Sequence, residues 1–234
     1  MRNALLQLAV LAAAVTLRVS SAWSFPPYRS TDAETAEPGT LEVRLGLTRV
    51  QREDHDSRYA SPLLRVNLGL VENLELVSEL EYLPEEGQLG DGALGAKGVA
   101  PLGPLHVGLE TLALLPVSSE QSGVGVESQL LATWRRAPLH LHVNAGGFYD
   151  PRPEEIERGW RASVLAELER GRARAGLEAF AKQVHGEAVT VQAGPGVILD
   201  VGPVDLRTAL HVGLTREAPD FVGSLWITWK WRLR

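Results

Sequence analysis

The sequence predicts an all-β fold, an antiparallel up-and-down transmembrane β-barrel of about 12 strands, within a range of about 10 to 12. Two observations lead to this prediction. Apolar and polar residues alternate along most of the chain, and the connections between the alternating segments are short and long in turn. Alternation with a period of two is the pattern of a strand whose two faces meet different environments.

The first alternating segment, residues 41–47, places Leu or Val at every second position, with Glu, Arg and Gly between them. The same pattern recurs to the end of the chain. Further alternating segments cover residues 64–70, 74–82, 105–109, 124–134, 139–143, 160–168, 189–197, 204–212 and 221–233. Each segment is long enough for one strand, and a fourth strand is expected around residues 94–97.

The connections alternate in length. Tight turns are predicted at residues 72–73, 101–104, 135–138, 170–171 and 202–203. Longer polar loops are predicted at residues 52–61, 84–90, 117–123, 150–158, 182–187 and 215–220. An even strand number, with short turns at one end and longer loops at the other, is typical of bacterial barrels that span the outer membrane.

One segment leaves two interpretations open. Residues 162–181 are rich in Ala, Glu, Arg and Leu, a composition that favours a helix. The same stretch also alternates, and Gly171 interrupts it. Two strands are the preferred interpretation, and a helix there would leave ten strands.

Charged and polar side chains occupy the face opposite the apolar one. A dry protein core would bury these charges at a severe desolvation cost, so a water-facing barrel lumen is favoured over a soluble sandwich or a lipocalin-like barrel. The residues predicted to line the lumen are Glu42, Arg44, Arg65, Glu75, Glu79, Glu81, Lys97, Glu110, Glu127, His140, His142 and Arg161.

Aromatic residues support a membrane position for the barrel. Transmembrane barrels carry Trp and Tyr at both membrane interfaces. Five aromatic residues fall near predicted strand ends on the apolar face, although aromatic residues make up only 6% of the chain. The residues predicted at the interfaces are Tyr82, Trp134, Trp160, Trp229 and Trp231.

The amino terminus has the features of an export signal. Arg2 precedes an apolar run over residues 4–17, and small residues follow at residues 19–24. This pattern predicts a signal peptide at residues 1–24, since the apolar run is too short for a spanning helix. Residues 25–38 are predicted to be an exposed lead-in segment, and residues 39–234 a single outer-membrane barrel domain.

Composition excludes several functions. The chain has 29 acidic against 23 basic residues, and the basic residues are scattered, so a nucleic-acid partner is not expected. The chain contains no cysteine, which excludes a lipoprotein anchor, disulfides and thiol chemistry. The expected surroundings are membrane lipid and the outer-membrane insertion machinery, and a small-molecule solute is a further candidate partner.

Histidines raise the question of a metal site or an active site. His106, His140 and His142 are predicted on the same face, and three imidazoles can hold a divalent metal. Asn144 and Ser163 would supply the remaining side chains of a Ser-His-Asn hydrolase. We interpret all of these residues as ordinary polar lining, and we expect no metal, no cofactor and no catalytic residue.

Three short phrases resemble a known family. They are EPGTLE at residues 37–42, GD at 90–91 with LGAK at 94–97, and APDF at 218–221. They occur in the same order as in the MetA-pathway phenol-degradation family of transporter-like outer-membrane barrels. The resemblance implies a barrel that takes part in the passage of small, apolar or aromatic molecules. The last residue departs from the family's pattern. Such barrels usually end on an aromatic residue, which resembles the recognition signal for the insertion machinery, whereas this chain ends on Arg234.

The sequence therefore predicts a narrow passive channel or transporter in the outer membrane, reached by export through the periplasm. Two alternatives remain open. The barrel is either a conducting channel or a structural or adhesive barrel that conducts nothing, and a barrel enzyme is the weaker third interpretation. An inward-folded loop or a charge-packed bore would favour the structural barrel, and a continuous water-wide path would favour the channel.

Overall fold

The computed structural model describes residues 28–52, 55–118, 121–153 and 156–233. The strands are β1 (Thr40–Arg52), β2 (His55–Val71), β3 (Leu74–Leu83), β4 (Gln88–Leu102), β5 (Leu105–Leu115), β6 (Gly125–Arg136), β7 (Leu139–Asp150), β8 (Glu157–Arg170), β9 (Ala173–Val184), β10 (Thr190–Asp200), β11 (Val204–Gly213) and β12 (Phe221–Arg232). Each strand pairs with its sequence neighbours, and β1 pairs antiparallel with β12 to close the barrel.

The prediction of an antiparallel barrel of 12 strands is confirmed. The ambiguous stretch at residues 162–181 forms parts of β8 and β9, so the helix alternative is wrong. Gly171 makes the turn between these strands with a φ of 64°, a left-handed conformation that glycine adopts without steric cost. The described residues contain no helix that is long and apolar enough to cross a membrane.

The alternation in the sequence becomes the inside and the outside of the barrel. In β7, His140, His142 and Asn144 are buried, while Leu141 and Val143 between them are exposed. Other strands repeat this arrangement, with leucine and valine on the outer surface and polar side chains inside. The molecule is therefore apolar outside and polar within, the reverse of a water-soluble protein.

Strand register brings opposite charges together across neighbouring strands. Glu75 on β3 lies opposite Lys97 on β4, and Arg65 on β2 lies opposite Glu79 on β3. At the closing seam, Glu42 on β1 lies opposite Lys230 on β12. Directly opposite residues on one face of a sheet are close enough to interact, so the wall of the barrel is linked by ion pairs.

The two ends of the barrel differ. At the turn end, the short turns such as residues 72–73 and 171–172 join consecutive strands. At the loop end, the longer connections include residues 116–124 and 214–220. The first residue of β1 and the last residue of β12 lie together at the turn end, because Thr40 pairs with Arg232. The chain therefore enters the barrel from the turn end.

The stretch that precedes β1 is not exposed. We predicted an exposed lead-in at residues 25–38, but residues 28–36, which we call the inner segment, fold back into the barrel. Ser30, Thr31 and Ala33 are 0% exposed. The prediction was wrong for this segment because its polar composition suits the charged interior of the barrel as well as it suits water. The signal peptide predicted at residues 1–24 lies outside the described residues.

Candidate functional site: the barrel interior

The inner segment is attached to the wall near the turn end through Glu75 and Lys97. The Ala36 amide donates a hydrogen bond to Glu75 Oε2 at 2.7 Å. Lys97 Nζ lies 2.9 Å from Glu75 Oε1 and 3.5 Å from Asp32 Oδ1. One lysine therefore pairs with a carboxylate of the wall and a carboxylate of the inner segment. All three charged side chains are at most 2% exposed, so they depend on one another for charge compensation.

Polar residues of β6 and β7 bind the middle of the inner segment. The Ala33 amide donates to Thr133 Oγ1 at 2.8 Å, and Asn144 Nδ2 donates to the Thr31 carbonyl oxygen at 2.8 Å. Glu34 accepts a hydrogen bond from Arg135. Side chains of the wall thus satisfy backbone groups that would otherwise be buried without partners.

Glu178 on β9 binds the amino-terminal part of the inner segment. Its Oε2 accepts a hydrogen bond from the Arg29 amide at 2.9 Å, and its Oε1 accepts bonds from the amide and the hydroxyl of Ser30 at 2.5 Å. His211 Nε2 lies 2.8 Å from Glu178 Oε2. This one carboxylate therefore joins the segment to both β9 and β11.

Tyr28 marks the described end of the inner segment, in the middle of the barrel. Its ring packs against Leu165, Ile198 and Ala209, an apolar cluster inside an otherwise polar interior. Glycines make room for the ring, since a Cβ atom on Gly196 would lie 2.4 Å from Tyr28 Cε1. Burial raises the pKa of the Tyr28 hydroxyl, so this group stays protonated.

Ion pairs also link the strands of the barrel wall to one another. Arg65 Nη2 lies 2.7 Å from Glu110 Oε2, and Arg65 also pairs with Glu79. On β11, Arg207 Nη2 lies 2.8 Å from Asp205 Oδ2. Lys230 Nζ on β12 lies 3.2 Å from the same oxygen. The described interior therefore carries paired charges both near the turn end and midway along the strands.

On the loop-end side of Tyr28, the barrel opens into a cavity of about 1000 Å³, which we call the vestibule. Its walls come from the loop-end halves of the strands, and its floor contains Tyr28 and Arg29. Carboxylates outnumber basic groups on its walls. The acidic residues are Glu79, Glu81, Asp91, Glu110, Glu127, Asp150, Glu157 and Glu187, and the basic ones are Arg29, Arg65, Arg152, Arg161 and Lys182.

Apolar and aromatic side chains share the vestibule walls with these charges. Leu112, Leu114, Phe148, Phe180 and Trp226 contribute apolar surface. Two of the rings lie beneath cations. Lys182 Nζ is 4.9 Å from the centre of the Phe148 ring, and the Arg29 guanidinium is 5.9 Å from the centre of the Phe180 ring. The cavity therefore offers both charge and aromatic contacts.

Arg152 ties the β7–β8 loop to the rim of the vestibule. Its guanidinium donates to Asp150 at 2.7 and 2.8 Å and to the Leu115 carbonyl oxygen at 3.2 Å. It also pairs with Asp91 at 3.0 Å. The hydrogen bonds to Asp150 raise the pKa of Arg152, so its guanidinium stays protonated between the carboxylates of Asp150 and Asp91.

The predicted lumen residues separate into two groups. Six of them lie in the turn-end half, where they are buried: Glu42, Arg44, Glu75, Lys97, His140 and His142. The other six line the vestibule: Arg65, Glu79, Glu81, Glu110, Glu127 and Arg161. Arg161 pairs with Glu127 across the vestibule wall.

The predicted interface aromatics lie near strand ends, on positions that alternate with the buried ones. Trp134 and Trp229 are near the turn end, as is Trp231, which is 49% exposed. Tyr82 and Trp160 are near the loop end. Their contact with a membrane interface stays a prediction.

The side chains considered for a hydrolase do not form its relay. Ser163 Oγ donates to Asn144 Oδ1 at 3.1 Å. His142 instead contacts Thr133 Oγ1 at 3.0 Å and Glu167 Oε2 at 3.0 Å. A different cluster results, in which His140, His142 and Glu167 each bring a ligand atom within 4.8 Å of the others. His106 is not part of this cluster.

The predicted lumen residues include Glu75 and Lys97 but not Glu178 and Thr133, which also bind the inner segment, nor Glu167, which contacts His142. Glu167 and Glu178 lie in the stretch whose composition also favours a helix, and Thr133 is a neutral residue among charges. One signal was available, because Glu167 and Glu178 alternate with apolar residues as the predicted lumen residues do. Residues 28–36 themselves carry no signal of this kind, since that segment has no periodic pattern.

Comparison with solved structures identifies the architecture. Over 86% of this chain and 98% of the other, the structure is similar to the COG4313 outer membrane channel from Pseudomonas putida F1, with a TM-score of 0.63 and 12% identity. It is also similar to the NanC porin, over 81% of this chain and 98% of the other, with a TM-score of 0.62 and 9% identity. The chain has a porin-like fold. No family model and no curated protein matches the sequence.

Proposed function

We propose that this protein is a narrow outer-membrane channel whose resting state is closed by its own inner segment. The observation that carries this proposal is the junction at Tyr28, where the water-accessible vestibule meets the buried inner segment. A solute that enters from the loop end reaches Tyr28 and Arg29. Passage to the turn end then requires the inner segment to move.

The outer surface of the barrel supports the location. Leucine and valine side chains face outward around the wall, including Leu130 at 67% and Leu177 at 63% exposed. Such a surface is stable in lipid and unfavourable in water. A closed barrel with an even number of strands also leaves no unpaired edge, as a membrane-spanning sheet requires. These features support an outer-membrane protein exported through the periplasm.

The vestibule supports a solute class. Its aromatic and aliphatic residues suit a small molecule with an apolar or aromatic part, and its charged residues suit a polar group on the same molecule. The resemblance to the MetA-pathway phenol-degradation family points to the same class of solutes. Transport of this kind is passive and uses no cofactor, and we assign no reaction to the barrel.

One set of observations favours a different function. The inner segment and the ion pairs around it are the features expected of a structural barrel that conducts nothing. Buried charges link the segment to the wall, through the contacts of Lys97 with Asp32 and Glu75. If the segment never leaves, the barrel is a closed scaffold in the membrane.

Single-channel recording in planar bilayers distinguishes the two functions. The refolded protein that begins at residue 25 is compared with a variant in which residues 28–36 are deleted. A second pair of variants, Arg65→Gln and Glu79→Gln, changes the charge of the vestibule wall. Insertion of each protein is checked by its heat-modifiable mobility in gel electrophoresis.

We expect rare, small conductance steps from the full protein and frequent, larger steps from the deletion variant. Step size or ion preference should change in the Arg65 and Glu79 variants. If the folded and inserted deletion variant conducts nothing, the channel proposal is wrong and the structural barrel is the better description.

A further inference from the structure

The cluster of His140, His142 and Glu167 lies inside the barrel near the turn end. One ligand atom from each of these residues lies within 4.8 Å of the others, and all three residues are buried. We propose that this cluster binds a divalent transition-metal ion of the zinc class. The site is distinct from the vestibule and independent of the transported solute.

Strand pairing fixes the three residues relative to one another. His140 on β7 lies directly opposite Glu167 on β8, and His142 is two residues further along the same face of β7. Positions on one face of two paired strands keep their spacing without help from loops. The backbone therefore presents the ligands from rigid elements, as a metal site requires.

Glu167 has capacity that its protein partners do not use. Its Oε2 atom lies 3.0 Å from His142 Nε2 and 3.5 Å from Arg174 Nη1. Its Oε1 atom is buried and has no hydrogen-bond partner within the described part of the chain. A buried carboxylate oxygen without a partner is costly, and a metal ion would satisfy it.

Thr133 orients the ring of His142. Thr133 Oγ1 lies 3.0 Å from His142 Nδ1, which leaves Nε2 directed toward Glu167. Metal-binding histidines commonly use their second nitrogen in a hydrogen bond of this kind, which fixes the tautomer and the ring orientation. Thr133 also accepts the Ala33 amide bond, so the proposed site contacts the inner segment through one residue.

Two imidazoles and one carboxylate define the class of ion. Calcium and magnesium prefer oxygen ligands, whereas imidazole suits Zn²⁺, Cu²⁺ and Ni²⁺. Zinc bound at about 2.0 to 2.1 Å by three protein ligands keeps a fourth position for water. The three ligand atoms lie within 4.8 Å of one another, and they would draw closer together around such an ion.

Neighbouring charges allow a cation at this position. Glu169 lies 3.4 Å from His140 Nε2, while Arg135 pairs with Glu34 and Arg174 lies near Glu167. The carboxylates of Glu34, Glu167 and Glu169 thus outnumber the two arginines. Glu169 and Arg135 have partly exposed side chains, at 27% and 26%. They mark a route from the turn-end mouth to His140.

The test is a titration of the folded protein, which begins at residue 25, with Co²⁺ and then Zn²⁺ in detergent micelles. Co²⁺ reports its coordination through visible absorption, and displacement by Zn²⁺ gives the zinc affinity. The variants are His140→Gln and Glu167→Gln. His211→Gln is the matched control, because His211 is also a buried histidine paired with a glutamate, at 2.8 Å from Glu178.

We expect one equivalent of Co²⁺ with the absorption of a low-coordinate nitrogen and oxygen site, and its displacement by Zn²⁺. Each cluster variant should weaken binding by more than about tenfold, and His211→Gln should leave it unchanged. Absence of saturable binding by the folded parent protein would overturn the proposal. Equal binding by the parent and both cluster variants, or equal loss in His211→Gln, would overturn it too. Conductance is not part of this readout, so the result is independent of the channel proposal.

Discussion

At the scale of single residues, the interior of this barrel is held together by shared charges. Lys97 contacts Glu75 on the wall and Asp32 on the inner segment, and all three side chains are at most 2% exposed. Burial of a charge is tolerated when a partner compensates it, and removal of one partner leaves the others uncompensated. Single substitutions inside the barrel should therefore cost far more than equivalent substitutions on its exposed parts.

Lys97→Met tests this difference. The substitution keeps the length of the side chain and removes its charge, which leaves Glu75 and Asp32 buried beside each other. We expect the free energy of unfolding to fall by about 3 to 5 kcal/mol, measured by urea unfolding in lipid vesicles.

Lys182→Met is the matched control for this prediction. The Lys182 side chain is 44% exposed and lies 3.9 Å from Glu157. Solvent screens this pair, so its loss should cost about 0 to 1 kcal/mol. Equal effects of the two substitutions would contradict the assignment of Lys97 as a buried link.

Gly196 provides a second test at the residue scale. A Cβ atom at this position would overlap the Tyr28 ring at 2.4 Å, so Gly196→Ala should displace the ring from its pocket. We expect a higher open probability in planar bilayers, and the same change from Tyr28→Ala. Gly98→Ala is the control, since its Cβ atom would meet its nearest neighbour, the Asn73 carbonyl oxygen, at 4.0 Å. An unchanged open probability in both test variants would show that the Tyr28 ring does not control the opening of the channel.

At the scale of whole elements, each strand carries two surfaces with opposite requirements. β6 presents Leu130 outward, at 67% exposure, and the fully buried Thr133 inward. A shift of one residue in strand register would exchange these two surfaces. The long runs of regular pairing between β5, β6 and β7 follow from this constraint.

Leu130→Arg tests whether the outward face of β6 contacts lipid. Leu130 is the sixth residue of a strand of 12 residues, so it should lie near the middle of the membrane. We expect a loss of about 2 to 4 kcal/mol in folding free energy in lipid vesicles, because a charge at that depth is poorly solvated.

Leu233→Arg is the control for the lipid-facing prediction. Leu233 is also exposed, at 53%, but it follows the end of β12. At the membrane surface the same substitution should cost about 0 to 1 kcal/mol. Equal costs at the two positions would indicate that the outer face does not span a membrane.

At the scale of the whole molecule, the barrel is divided into an open half and a filled half. The vestibule occupies the loop end, and the inner segment occupies the interior toward the turn end. This division is what the proposed function requires, in which the inner segment seals a barrel that conducts once the segment moves. A cavity with fixed charges on its walls also selects ions once a path is open.

The vestibule predicts a preference for cations, because carboxylates outnumber basic groups on its walls. Reversal potentials of the variant without residues 28–36, measured across a KCl gradient, should show a cation preference that declines at high salt. Glu127→Gln with Glu157→Gln should reduce the preference, whereas Glu72→Gln, in an exposed turn, should not. A preference for anions would contradict the assigned charge of the conducting path.

Much of the fold was predictable because a strand shows itself as an alternating pattern of residues that are close together in sequence. The alternation at residues 139–143 and 160–168 identified β7 and β8, and Gly171 identified the turn that resolves the helical composition of residues 162–181. Proline or glycine lies in four of the five predicted short turns, the exception being residues 72–73. These signals depend only on neighbours in sequence, so they can be recognised without knowledge of the fold.

The interior was less predictable because its contacts join distant parts of the chain. Ser30 and Glu178 are separated by 148 residues, and Ala33 and Thr133 by 100. The cluster of His140, His142 and Glu167 depends on the register between β7 and β8, whereas the sequence pattern groups His106 with the two histidines.

The sequence by itself predicted the alternating strands, a strand number of 10 to 12 and a polar face opposite an apolar one, because a period of two and the turn residues act over a few positions. Only the tertiary structure decided what fills the barrel. The inner segment has no periodic pattern, and the partners that hold it become neighbours only when the barrel closes. Polar residues before the first strand satisfy their hydrogen bonds equally well in water or against a charged wall, and the closed barrel supplies that wall.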